Sequence, residues 1–165
     1  MLAAVRASLP VEQPVFWGTD YEVSGDRHLI RLLEQADKPP AAAAALRVVA
    51  EASASSWAKY KETGSPEFIF SFGGDPALIR AVSDAWPAPD PRSAIILNTL
   101  EQTLAVNNLW MQGNAWASNH ARAELQRENF LRHWRAEEER GEAPKVIAKY
   151  GASHIVRGLS PTAVF

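Results

Sequence analysis

Lys145-Val-Ile-Ala-Lys-Tyr-Gly-Ala-Ser-His154, followed by Ile-Val-Arg157-Gly158, is the stretch on which the reading of this chain turns. Val146, Ile147 and Ala148 make a short β-favouring apolar run, and Gly151 breaks it where a buried strand of an α/β sheet would reach the sheet edge. A histidine just past such a strand stands at the carboxyl end of the sheet, where α/β folds assemble their sites. His154 is therefore the first candidate for proton chemistry. A turn cap or a partner for a backbone carbonyl is the plainer use of the same residue.

The segment before that strand predicts a helix from about Ser118 to Glu139 with two distinct faces. Ala123, Phe130 and Trp134 share one face and should meet the core. Arg122, Gln126, Asn129 and His133 recur at helical steps along another, where a solvated surface is the commoner explanation. The acidic run from Glu137 to Glu142 reads as a solvated helix end, so helix passes directly to strand.

At the other end of the chain, Val15-Phe16-Trp17 reads as a second short buried strand closed by Gly18. Thr19-Asp20-Tyr21-Glu22 follows at once. If this segment stays extended, both carboxylates point to one side, because side chains alternate along a strand. Such a pair can serve as a base, as metal ligands or as helix caps.

Helices fill the middle. Asp26 can cap one that carries Leu29, Ile30, Leu32 and Leu33 and stops before Lys38-Pro39-Pro40. Pro40 opens an alanine-rich helix to about Tyr60, with Leu46, Val49, Ala50, Ser53 and Trp57 recurring at steps of three and four. Glu67-Phe-Ile-Phe-Ser-Phe72 reads as a short strand or an extended aromatic plug, ended by Gly73-Gly74. Asp75-Pro76 then caps a helix running to Trp86, and Pro87 to Pro91 forms a proline-rich connector, the best boundary within the chain. A long helix from about Arg92 presents Ile96, Leu100, Leu104, Asn107 and Met111 as a stripe.

With 165 residues the chain can bury a core without staples. It has no cysteine, which removes thiol catalysis, Cys-based zinc sites and disulfides from consideration. A net charge of −2 without a basic stripe argues against nucleic acid as a partner. No window approaches the ~20 apolar residues of a membrane span. Met1 to Leu9 is too short for a signal peptide, so the cytoplasm is the default compartment. Six tryptophans suit a core, and Trp17, Trp110 and Trp116 also suit an apolar pocket for a bulky substrate.

Four segments carry a joint pattern: Phe16-Trp-Gly-Thr-Asp-Tyr-Glu22, Asn119-His-Ala-Arg122, Arg127-Glu-Asn129-Phe130 and Val146-Ile-Ala-Lys-Tyr-Gly-Ala-Ser-His154. In order and spacing they resemble the erythromycin esterase-like proteins, part of a wider group with the ChaN-like haem-uptake proteins and the TraB and Tiki proteins. The resemblance implies an α/β fold, helix-rich, with a small mostly parallel sheet and long helices packed on it, residues 1–165 forming one incomplete domain. It implies a hydrolase of esters or lactones, with His154 as base or proton shuttle and Asp20 and Glu22 orienting it or a water. Arg122, Asn129 and His120 would bind the small-molecule substrate.

The chain departs from that pattern in two places. Gly151-Ala152-Ser153 stands where the esterases carry a His-Asn pair. The group's first strand, with its Gly-Glu and histidine motif, is expected before residue 1, and its closing strands after Phe165. A parallel sheet lacking its first strand would leave an edge open to self-association. A haem- or metal-binding protein is the second expectation, with His154, His120, Asp20 and Glu22 as possible ligands, although no His-x-x-x-His pair is present. A non-catalytic scaffold is the third. No cofactor is assigned.

Overall fold

The computed structural model describes residues 17–21, 24–141, 144 and 146. Among these residues six α-helices and one 3-10 turn follow one another, and no strand forms. The α/β expectation, with its parallel sheet, is therefore overturned. Trp17 and Val146 both lie outside any strand, whereas Val15, Phe16, Ile147 and Ala148 fall outside the described residues. Apolar runs this short read equally well as buried turns, and a strand forms only where a neighbour takes up its backbone hydrogen bonds. The sheet edge expected to drive self-association has no counterpart among the described residues.

Most helices follow their sequence signals, although Met111, expected at the end of the long helix's apolar stripe, is exposed. Helix α1 is Asp26–Gln35, with Ile30 and Leu33 buried. Helix α2, Pro40–Thr63, begins on a proline whose missing N–H costs nothing at that position. It ends at Gly64, whose φ of 68° is the left-handed value that closes a helix and whose N–H reaches the Tyr60 carbonyl at 2.8 Å. Leu46, Val49, Ser53 and Trp57 are buried, as the three- and four-residue steps predict; Ala42 joins them, and Ala50, expected on the same face, is only half-buried. Helices α3 (Phe70–Gly73) and α4 (Pro76–Ala85) are short, and α4 is capped by Asp75, which accepts from the Ala77 N–H at 2.8 Å. Helix α5 is Pro91–Met111, and α6, Ala115–Glu138, starts beyond Gly113 at φ 80°.

The core is one cluster in which α2 packs on α1 and α4 while α5 packs on α1, α3 and α4. Leu33, Val49, Phe70, Ile79, Val82 and Leu104 are its largest fully buried apolar side chains. Each such side chain adds roughly 1.5–3 kcal/mol of transfer free energy on burial.

Residues 66–74 form neither the short strand nor the extended plug expected over Glu67–Phe72. Pro66–Phe68 is a 3-10 turn and Phe70–Gly73 a single turn of helix. Local bonds already satisfy this backbone: Phe68 N–H to Ser65 O at 3.1 Å, Ile69 N–H to Pro66 O at 3.0 Å and Gly74 N–H to Phe70 O at 2.8 Å. Side chains take up carbonyls that remain. Ser56 Oγ donates to Phe68 O at 2.6 Å, Asn107 Nδ2 to Ser71 O at 2.8 Å and Asn108 Nδ2 to Gly74 O at 2.9 Å. No ladder partner is needed, so period-two patterning had nothing to act on.

Residues 21–122 form one compact unit, comprising α1–α5 and the first two turns of α6. Among the described residues, 17–20 together with 123–141, 144 and 146 group into a second. The proline-rich connector lies inside the first unit, since α4 and α5 pack together across it. No helix among the described residues is long and apolar enough to cross a membrane.

One cap carries a pH dependence. Asp90 Oδ1 accepts from the Arg92 and Ser93 N–H groups at 3.0 and 3.1 Å, and the Ser93 hydroxyl donates to Oδ2. The Ser93 hydroxyl first, and then its N–H, hold the carboxyl below the ordinary carboxylate range. A depressed folded value means stability that is present above the unfolded value and lost as pH falls through the folded one. Asp90→Ala is thus expected to lower the melting temperature at neutral pH. The difference from the unmutated chain should shrink as the pH is lowered through the acid range, and an undiminished difference at the acid end would contradict the cap.

Candidate functional site

The four polar positions of α6 do not lie on a bare solvated face. In the second unit Gln126 is buried, and Asn129 Nδ2 donates to the Thr19 carbonyl at 3.0 Å, joining residues 110 apart. His133 lies one turn on from Asn129. Its ring stacks nearly parallel on the Trp17 indole, at 5.4 Å between centroids and 12° between planes. Phe130 meets the same indole edge-on at 5.6 Å and 67°, and Trp134 stacks on Phe130 at 5.9 Å. Asn129 and His133 are four residues apart and Phe130 and His133 three, so each pair is neighbouring on α6. The Asn129 side-chain amide, bonded to the Thr19 carbonyl, and two ring contacts hold the chain from Trp17 to Thr19 there.

Asp20 follows directly on Thr19 and is exposed. Glu22 and His154, the other two residues expected to do chemistry, lie outside the described residues. Asn129, expected to bind substrate, spends one amide N–H on the backbone beside Asp20.

In the first unit, the Arg122 guanidinium lies 4.7 Å over the ring of Tyr21, a cation–π contact that orients both groups. His120 is exposed and stacks on Trp116 at 5.3 Å and 9°. Trp110 and Trp116 are 56% and 57% exposed, so they line no buried apolar pocket. Among the described residues no group of three or more His, Cys, Asp or Glu side chains is gathered to hold a metal ion.

A second constellation, in the first unit, was missed by sequence reasoning. Asp26 is the first residue of α1 and not its cap, which is Gly25. Its side chain is buried, accepting from Ser53 Oγ at 2.7 Å and from Trp57 Nε1 at 2.9 Å. Arg27 lies 4.1 Å over the Trp57 ring. The available signal was the Ser53 and Trp57 pair, two donors four residues apart on the buried face of α2. Such a pair requires an acceptor from elsewhere in the chain. The knot is sealed, with Asp26 only 1% exposed, and its geometry serves packing of α1 on α2.

A hollow of about 470 Å³ runs along α6 in the second unit, lined by Arg127, Leu131, Arg132, Arg135 and Glu139 among others. It contains none of the residues expected to form the site, and Arg127 is occupied by Glu124 at 2.6 Å. That carboxylate raises the Arg127 pKa further above its already high ordinary value. No protein-family model matches the chain, and no curated protein or solved structure matches it either.

Proposed function

We propose that the second unit carries an acid–base site for a small ester or lactone, in which Asp20 and His154 are the proton-handling pair and Asn129 anchors the segment that bears Asp20. The single observation behind this reading is the Asn129 to Thr19 bond, which joins two of the four segments that carry the family resemblance across 110 residues. The Trp17 contacts with Phe130 and His133 add to it.

In such a site the imidazole of His154 takes a proton from water as the water oxygen attacks the ester carbonyl carbon. The same imidazolium then returns that proton to the leaving alkoxide, so one water is consumed and an acid and an alcohol are released. A carboxylate beside the imidazole favours its charged form and fixes its orientation, which is the part assigned to Asp20.

The test is hydrolysis of a panel of nitrophenyl esters and aliphatic lactones by the full chain. His154→Ala should lower turnover by ~10²–10⁴-fold, the usual loss for an acid–base group, with the melting temperature unchanged. Asp20→Asn should lower turnover less. The absence of turnover in the unmutated chain, or activity indifferent to His154, would end the proposal in favour of a non-catalytic helical scaffold.

A further inference from the structure

We propose that His133 is a positioning residue for the segment that carries Asp20: its imidazole holds the Trp17 indole while Asn129, one turn earlier on α6, holds the Thr19 backbone. This rests on the function proposed for Asp20, but its geometry can be tested separately. The indole is gripped in two different ways, by the edge-on ring of Phe130 at 67° and by the near-parallel ring of His133 at 12°. An edge contact and a face contact together fix both the tilt and the rotation of an indole, which neither does alone. The hydrogen bond at 3.0 Å then fixes the chain two residues further on. Asp20 is the next residue, so its backbone direction follows from these contacts.

The chemistry asked of position 133 is a flat ring. Phenylalanine supplies one, whereas leucine supplies bulk without a plane and alanine supplies neither. His133 touches no reacting atom in this scheme and acts only through Trp17, as Asn129 acts only through Thr19.

Hydrogen exchange of the full chain, read by mass spectrometry on peptides covering residues 17–20 and on peptides from α1–α5, tests the proposal. His133→Ala should speed exchange at 17–20 by about 3- to 10-fold while α1–α5 stay unchanged, and His133→Phe should return it to the rate of the unmutated chain. His133→Leu should behave like His133→Ala, which keeps the test decisive if the alanine variant folds poorly. Trp17→Leu should loosen the segment equally, and adding His133→Ala to it should loosen it no further. Unchanged exchange in His133→Ala and His133→Leu, or a phenylalanine variant as fast as the alanine one, would overturn the assignment. With turnover detectable, His133→Ala should lower kcat and leave KM unchanged, and His133→Phe should recover kcat. A chain without turnover sinks the hydrolytic reading alone, since the exchange rates still decide the role of His133.

Discussion

Asp26→Ala is expected to destabilise the first unit by about 2–5 kcal/mol, measured as the shift of a urea melt at constant slope. The carboxyl group is 1% exposed and accepts two hydrogen bonds from α2, from Ser53 Oγ at 2.7 Å and Trp57 Nε1 at 2.9 Å. Alanine would leave a hydroxyl and an indole N–H buried without an acceptor, and each orphan costs ~1–3 kcal/mol. Asparagine keeps one acceptor oxygen but turns an amide N–H toward groups that are themselves donors, so Asp26→Asn should fall between alanine and the unmutated chain. Ser53→Ala removes a single bond and should cost less than either. In the double variant Asp26→Ala with Ser53→Ala the hydroxyl is no longer stranded, so the pair should cost less than the sum of the single losses. A shift below about 0.5 kcal/mol for Asp26→Ala would mean that water reaches the knot.

The knot also marks the limit of local rules. An Asp standing before an apolar run is usually a cap, because its short side chain meets the orphan N–H groups of the first turn. Here Gly25 takes the cap position, and the carboxyl is drawn away by donors 27 and 31 residues further along. Asp75 and Asp90, each followed by a proline, obey the same rule because nothing distant competes for them. The buried stripe of α2 was legible for a similar reason, since one helix face determines which residues meet the core. The short strand or extended plug expected at 67–72 failed because its alternation was a coincidence of aromatic residues, with Asn107 and Asn108 taking up the Ser71 and Gly74 carbonyls.

The candidate site was legible in part. The helical spacing of Gln126, Asn129 and His133 correctly placed them on one side of α6, but spacing cannot name what lies against that side. The partner of Asn129 is 110 residues away, and Trp17, read as the end of a strand, is instead the ring on which His133 stacks. Pairings at that separation are set by tertiary packing, which leaves no periodic trace in either segment. The solvated reading of the α6 face failed on the same ground.

Phe70→Ala should cost about 3–5 kcal/mol, the usual range for deleting a fully buried ring. Phe70 is 1% exposed and anchors α3 against α5. A single helical turn has no stability of its own, so loss of the ring should also loosen the bonds that Asn107 and Asn108 make to this segment. Gly74 supplies an internal control. A Cβ added there would lie 2.6 Å from the Phe70 carbonyl oxygen and 2.9 Å from both the Phe70 ring and the Leu104 side chain. Gly74→Ala alone is therefore overpacked and should cost ~1–3 kcal/mol. Combining it with Phe70→Ala removes the ring contact but keeps the backbone clash, so the double variant should be less stable than Phe70→Ala alone yet more stable than additivity predicts. A double variant more stable than Phe70→Ala would show that the new methyl fills the vacated space and that the Phe70 carbonyl yields at little cost, which would refute a rigid turn at Gly74.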